Sequence, residues 1–262
     1  MGKIIALLTD FGLKDGYIAV MKGVIKSIAP NTDIIDITHD ISPQNIDEAA
    51  YVLWTSYKYF PKSTIFVTVV DPGVGSNRKI LMVKTKNYIF LAPDNGILKY
   101  IFAYQEVLKI YNLENKEYFL KNISNTFHGR DIFSPVAAYI SKGIPLKNFG
   151  TETTPLTRPE YFLSLASVKN KSINGKILYI DRFGNIITNI LIENNKYIDD
   201  IQYIEIGKTH VNHFYKYYSE ARNSKIFGLV GSSNLLELAM RNQNAAKIYK
   251  VKIGTKIKVV LR

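Results

Sequence analysis

The first seventy residues repeat one unit, an apolar run that ends in a polar turn and is followed by an amphipathic helix. Lys3 to Leu8 closes on Thr9-Asp10-Phe11-Gly12, as a buried strand does when it delivers a turn at its carboxyl end. From Asp15 the apolar positions Ile18, Met21, Val24, Ile25 and Ile28 recur at helical spacing until Pro30 stops the pattern. Ile34 to Ile37 reads as a second strand. Pro43 opens a helix carrying Ile46, Ala49, Ala50, Leu53 and Trp54, and Thr64 to Val70 reads as a third strand. This alternation predicts an α/β fold with a mostly parallel sheet flanked by helices, whose ligands bind beyond the carboxyl ends of the strands. Asp10 and Asp71 both fall there.

Ile80 to Thr85 and Tyr88 to Leu91, joined by Lys86-Asn87, predict a hairpin at the sheet edge. A helix over Asp94 to Tyr104, a strand over Val107 to Tyr111 and a helix over Asp131 to Ser141, closed by Gly143, complete a first domain of residues 1–150. Residues 151–170 hold Pro155, Pro159 and several Thr without a sustained period, and read as a linker. Residues 171–262 then carry short β-like runs at Lys176 to Ile180, Ile186 to Ile192, Tyr203 to Ile206, Ile226 to Val230 and Lys256 to Leu261, with one short helix near Leu235 to Arg241. They predict a smaller, β-barrel-like domain.

Charge and composition narrow the function. The 34 basic and 22 acidic residues leave a net charge of +12, but only seven of the basic residues are Arg and no basic run reaches five. Scattered lysines make a solvated surface rather than a phosphate-reading groove, so no nucleic acid partner is expected. No apolar stretch reaches the ~18 residues of a membrane span, and Met1 to Leu8 is too short for a signal peptide, which predicts a cytoplasmic chain with no membrane partner. The absence of cysteine removes disulfides, thiolate catalysis and Cys-ligated metals. Asp10 to Gly16 is neither a dinucleotide fingerprint nor a P-loop. His210 and His213 lack acidic or Cys partners for a metal, and no nucleophile elbow occurs.

Two segments carry chemistry. Val70-Asp71-Pro72-Gly73-Val74-Gly75-Ser76-Asn77-Arg78 puts a carboxylate at a strand end, then a glycine-rich loop and an arginine. Thr126-Phe127-His128-Gly129-Arg130-Asp131 precedes a helix. Asp71 ahead of Pro72 also reads as a turn aspartate, and Arg130-Asp131 as helix-start capping with local pairing. Taken together they supply a carboxylate, a guanidinium and an imidazole at one rim.

With these motifs in order, the chain resembles the S-adenosyl-L-methionine (SAM) hydroxide adenosyltransferases, the adenosine-forming SAM hydrolases related to the SAM-dependent fluorinase and chlorinase. The resemblance rests on Thr9-Asp10-Phe11-Gly12, Asp36-Ile37-Thr38-His39, Val70 to Gly75, Ala92-Pro93-Asp94-Asn95-Gly96, Phe127 to Asp131, Asp181-Arg182-Phe183-Gly184-Asn185 and Gly231-Ser232-Ser233. It implies that Asp71, Arg78 and His128 position and polarise the attacking water, and that Asp10 holds the ribose hydroxyls. Asp181 and Asn185 would grip the methionine end, and Ser232 would belong to the loop receiving its carboxylate. Glu237, Met240 and Asn242 match the segment that borders methionine and adenine. Ser233-Asn234 departs from the family pattern, where a bulkier residue is followed by glycine. The resemblance further implies a homotrimer with active sites between the N-terminal domain of one subunit and the C-terminal domain of the next.

The implied reaction suits such residues. A sulfonium already offers a neutral thioether as leaving group, so no metal or other cofactor is required and SAM itself is the substrate. The difficulty is to present a hydrated, weakly nucleophilic oxygen in line with the bond from sulfur to C5′. Adenosine and L-methionine are the expected products. Halogenating relatives carry a tyrosine at the place of Asp71 and lack the histidine, so a halogenase is the same-class alternative. A non-catalytic SAM or adenosine sensor is the alternative from another class.

Overall fold

The computed structural model describes residues 4–165, 171–192, 198–222 and 225–262. Lys3, at the start of the first expected strand, and residues 166–170 of the expected linker lie outside them. The chain divides into two units, one running through Tyr161 and the other from Phe162.

The first unit follows the alternation read above: β1 (Ile4–Thr9), α1 (Tyr17–Ile28), β2 (Asp33–Thr38), α2 (Ile46–Ser56) and β3 (Ile65–Val69). After them come β4 (Ile80–Thr85), β5 (Ile89–Pro93), α3 (Lys99–Tyr104), β6 (Val107–Leu113), α4 (Ser134–Ser141) and β7 (Gly150–Glu152). Seven strands form one mixed sheet in the order β2-β1-β3-β5-β4-β6-β7. It is parallel from β2 through β5 and antiparallel beyond. The β4-β5 hairpin, expected at an edge, is interior: β5 pairs in parallel with β3, while β6 and β7 extend the sheet on the other side. The helix expected from Asp131 begins instead with one π-helical turn, Gly129–Phe133, which runs into α4.

Each boundary has a local cause. The α1 helix ends at Ala29 because Pro30 disfavours helical backbone in the residue before it. At the start of α2, Asn45 accepts from the Glu48 amide at 3.1 Å, while Asn45 Nδ2 donates to Glu48 Oε2 at 3.0 Å, a reciprocal cap. Ile5 and Leu7 of β1 pack with Ile18, Met21 and Ile25 of α1 and with Phe133, Val136 and Ala137 of α4. Elsewhere in this unit Phe66 and Phe90 stack 5.0 Å apart, with Tyr57 edge-on to Phe90. Each large side chain buried this way contributes about 1.5–3 kcal/mol.

The second unit contains β8 (Leu163–Ser164), β9 (Ser172–Ile180), β10 (Ile186–Leu191), β11 (Ile201–Ile206), β12 (Thr209–Val211), β13 (Phe227–Val230), β14 (Leu235–Ala239), α5 (Ala245–Ile248) and β15 (Lys256–Leu261). The strand order β12-β11-β15-β9-β10-β14-β13 curls nearly into a barrel. The chain just after β12 returns to β13, where the Gly228 amide donates to His213 O at 2.8 Å and the Tyr215 amide to Gly228 O at 3.0 Å. Leu235 to Arg241, expected as a short helix, instead supplies the fully buried strand β14 over Leu235–Ala239, paired antiparallel with β10 and β13. The unit's short helix is α5, capped by Asn244, whose side chain accepts from the Lys247 amide at 2.7 Å. Among the described residues no helix is long and apolar enough to cross a membrane, and none of their His, Asp and Glu side chains cluster in threes that could hold a metal ion.

Candidate active site

The register of the parallel strands sets the first half of the site. Thr9 of β1 pairs with Val69 of β3, so Asp10 and Asp71, one and two residues further on, emerge at the same rim. They line a cavity of about 440 Å³ with Phe11, Tyr17, Gln44, Phe127 and His128.

Asp71 is almost wholly buried, its side chain 4% exposed, and it is gripped by Arg78. Nε donates to Oδ1 at 2.7 Å and Nη2 donates to Oδ2. Oδ1 also accepts from the Gly73 amide at 3.2 Å, so the turn role of Asp71 and its ion pair coexist in one carboxylate. Burial pushes the Arg78 guanidinium down to about 10, which leaves it protonated at neutral pH. One residue before Asp71, the Val70 carbonyl accepts from Asn95 Nδ2 at 2.9 Å, which anchors the strand end from the Ala92 to Gly96 motif.

The loop bearing Arg78 is held against the segment that leads to His128. Gly75 has φ +80, and a Cβ there would lie 2.4 Å from the Asn125 carbonyl oxygen, so only glycine permits this approach. His128 Nδ1 is buried without a hydrogen-bond partner. Burial first, then the Arg78 charge, lower the imidazole below its ordinary value, with Asp131 opposing. Asp131 is fully buried and accepts from Arg130 Nε at 2.6 Å, Arg130 Nη2 at 3.0 Å and the Ser124 amide at 2.7 Å. Arg130 and Asp131 therefore brace the turn, as the local-pairing reading expects.

Asp10 Oδ2 accepts from the Gln44 amide at 2.8 Å, which leaves Oδ1 for a ligand hydroxyl. Gln44 holds this position with φ +65, an unusual conformation for a non-glycine residue and a marker of functional constraint. Phe11, Tyr17 and Phe127 meet edge to face at 5.2–5.9 Å and form an aromatic wall of the cavity. Sequence reasoning missed Gln44 and Tyr17. Each reads as part of a helix start, and neither periodicity nor charge marks it.

The second unit has its own cavity, about 750 Å³, lined by Asp181, Phe183, Asn185, Tyr218, Met240 and Asn242 among others. Asp181 Oδ1 accepts from the Phe183 and Asn185 amides at 2.9 and 2.8 Å, and Oδ2 from Asn185 Nδ2 at 2.9 Å, which orients the carboxylate with one acceptor position open. Asp181, Asn185, Met240 and Asn242 thus come together, while Ser232 and Glu237 do not line this cavity. Ser232 is exposed on its loop. Glu237 is buried and accepts from the Tyr218 hydroxyl at 3.1 Å. It also fills the space beside Gly231, where a Cβ would collide with it. Phe183 enters the sequence reading only within the Asp181 to Asn185 motif, and Tyr218 not at all, because an aromatic residue in a β-rich segment reads as core. His210, set aside as a metal ligand, stacks on Tyr203 at 4.7 Å.

Comparison with known proteins adds to this geometry. Residues 5–150 match the SAM hydroxide adenosyltransferase N-terminal domain, and residues 175–258 match the corresponding C-terminal domain. The chain is 36% identical to the (R)-S-adenosyl-L-methionine hydrolase of Methanocaldococcus jannaschii, over 98% of this chain and 95% of that protein. It is 26% identical to a fluorinase of an Actinoplanes species over 71% of each. The crystal structure of an uncharacterized conserved protein from Thermotoga maritima superposes with a TM-score of 0.89 at 36% identity, covering 98% of this chain and 99% of that one.

Proposed function

From the premise that this chain belongs to the SAM hydroxide adenosyltransferase family, we propose how its residues carry out the reaction. The chain is an enzyme that acts on SAM, and its products are adenosine and L-methionine. The observation that carries the mechanism is the two-pronged Asp71–Arg78 pair at the rim of a cavity shared with Asp10 and His128.

A water oxygen attacks C5′ opposite sulfur. The new C5′–O bond forms as the C5′–S bond breaks, and its electron pair returns to sulfur as the neutral thioether of methionine. The proton released by the water passes to the Asp71 carboxylate or the neutral His128 imidazole and then to solvent. Arg78 holds the Asp71 carboxylate correctly turned through two charge-assisted hydrogen bonds. Asp10 anchors the ribose hydroxyls through the oxygen that Gln44 leaves open. A proton acceptor supplies about 10² to 10⁴ in rate, so alignment of the water with C5′ contributes the larger share.

Asp181 and Asn185 hold the methionine end, with Met240 and Asn242 beside methionine and adenine and the Ser232 loop receiving the carboxylate. Glu237 supports that region through Tyr218. The two cavities belong to different units, and each carries half of the required residues. In the homotrimer that the family resemblance implies, the first unit of one copy and the second unit of its neighbour complete each site.

Incubation of the pure protein with SAM in H2¹⁸O tests the reaction. Adenosine labelled at its 5′-hydroxyl, with an equal yield of methionine, is the expected result; folded protein that releases no adenosine would refute it. A halogenase is the second reading, favoured only by the likeness to fluorinases. It requires 5′-halo-5′-deoxyadenosine when chloride or fluoride is added, whereas the Asp71 carboxylate repels a halide at the attack position.

A further inference from the structure

Beneath the Asp10 turn lies a polar chain, buried at Thr9 and His39 and open to solvent at Asp36 and Lys22, that the mechanism above does not use. Strands β1 and β2 run in register from Ile4↔Asp33 to Leu7↔Asp36, and then the pairing slips so that Leu8 faces Thr38. The extra residue is a bulge, a device that redirects side chains beside functional sites. Past it, His39 turns inward and is only 4% exposed. Its Nδ1 lies 2.9 Å from the Thr9 hydroxyl and its Nε2 lies 3.1 Å from Asp36 Oδ1. Lys22 of α1 donates to the other oxygen, Asp36 Oδ2, at 2.5 Å.

Asp36 Oδ1 faces His39 Nε2 as an ion-pair contact outside hydrogen-bond alignment; its charge favours the tautomer with the ring proton on Nε2, which presents Nδ1 as an acceptor. The Thr9 hydroxyl then donates to His39, and its lone pair receives the Phe11 amide at 3.2 Å. The His39 carbonyl receives the Gly12 amide at 2.8 Å. Residues on both sides of Asp10 are thereby tied to His39. The chemistry resembles a hydrolytic triad, but Thr9 is wholly buried and cannot meet a substrate.

We propose that Asp36, His39 and Thr9, closed by Lys22, form a positioning relay that aims the Asp10 carboxylate at the ribose diol, making Thr9 and His39 determinants of substrate binding. The proposal rests on the reading of Asp10 as the ribose anchor. Loss of the relay weakens ribose binding more than it slows chemistry, because the water is held elsewhere, by Asp71 and His128.

The test is a double-mutant cycle with Thr9→Val, Asp10→Ala and the pair, following kcat and KM for SAM. Thr9→Val keeps the shape and removes the hydroxyl. It is expected to raise KM about tenfold with kcat changed less than threefold, and Thr9→Ser is expected to restore KM. In the Asp10→Ala background the same change should have no further effect on KM, since the group it aims is gone. Fully multiplicative losses, with Asp10→Ala itself costly, would overturn the relay and leave the anchor standing. An unchanged KM in Asp10→Ala would overturn the anchor reading, and the relay with it. His39→Gln provides a second entry to the cycle if Thr9→Val folds poorly, and is expected to couple to Asp10 in the same way.

Discussion

Arg78 holds Asp71 by two parallel hydrogen bonds, Nε to Oδ1 and Nη2 to Oδ2, with both side chains nearly excluded from solvent. A carboxylate fixed this way cannot rotate, so its free lone pairs have one direction in the cavity. Asp71→Asn retains one acceptor for Arg78 but turns an amide toward the guanidinium. Turnover is expected to fall about 10² to 10⁴-fold with KM for SAM little altered, because the partner of Asp71 is the reacting water. Adenosine release under saturating SAM measures it; unchanged turnover would remove Asp71 from the mechanism.

His128 is held below the ordinary histidine value of 6.5 by burial and by the Arg78 charge, with Asp131 opposing. At neutral pH it is uncharged and can accept a proton. The acid limb of kcat/KM is therefore expected below 6.5, and His128→Asn should abolish that limb along with most of the activity. The same shift has a stability consequence. The unfolded chain binds this proton first, so the contribution is complete above 6.5 and is lost as pH falls toward the depressed folded value. Between pH 7.5 and pH 5 the parent should lose more Tm than His128→Asn.

Glu237 moves the other way. Burial raises it from its ordinary 4.5, the hydrogen bond from Tyr218 opposes this, and the nearby Asp181 charge adds to the rise. A carboxyl raised in the folded state gives stability that is present below 4.5 and is lost as pH climbs through the folded value. Glu237→Gln keeps an acceptor for Tyr218 without the buried charge. Relative to the parent, its Tm should improve as pH goes from 4 to 7; a constant difference would contradict this.

Different kinds of signal made some elements legible and hid others. The strand–helix alternation through β3 was readable because each helix stripe buries on the sheet and β1 and β3 are apolar on both faces. Asp10 and Asp71 could be placed together from that alone, since adjacent parallel strands share a rim. Leu235 to Ala239 misled because Leu, Glu and Ala are strong helix formers, and pairing with two neighbours, Ile186 and Ile187 of β10 and Phe227 to Val230 of β13, overrode that propensity. The interior place of the β4-β5 hairpin depends on β6 and β7, partners distant in sequence. The guanidinium of Arg78 and the imidazole of His128 stand out in their segments, but their approach depends on Gly75 against Asn125, a through-space contact with no periodic trace.

Gly184 lies in the loop that orients Asp181, with φ +85. A Cβ there would fall 2.1 Å from Asn244 Cγ, and Asn244 is the cap of α5. Gly184→Ala therefore strains the backbone and displaces a cap at once, and is expected to destabilise the fold by about 2–4 kcal/mol. Chemical denaturation measures it, and a change under about 0.5 kcal/mol would mean that the loop relaxes freely.

The proposed assembly has a numerical consequence. Asp71→Asn disables the half-site in the first unit, and Asp181→Asn, which keeps the oxygen that accepts the Phe183 and Asn185 amides, impairs the half-site in the second. If each site takes one half from each of two copies, co-expression of the two variants in equal amounts pairs a sound first half with a sound second half by chance. Each mixed trimer contains one junction in three with both halves sound, so kcat/KM per site should return to about a third of the parent value although neither variant alone approaches it. If one chain supplied both halves, every site would carry one defect and the mixture would be no more active than its components. Differently tagged chains, purified in tandem so that only mixed oligomers are assayed, separate these outcomes.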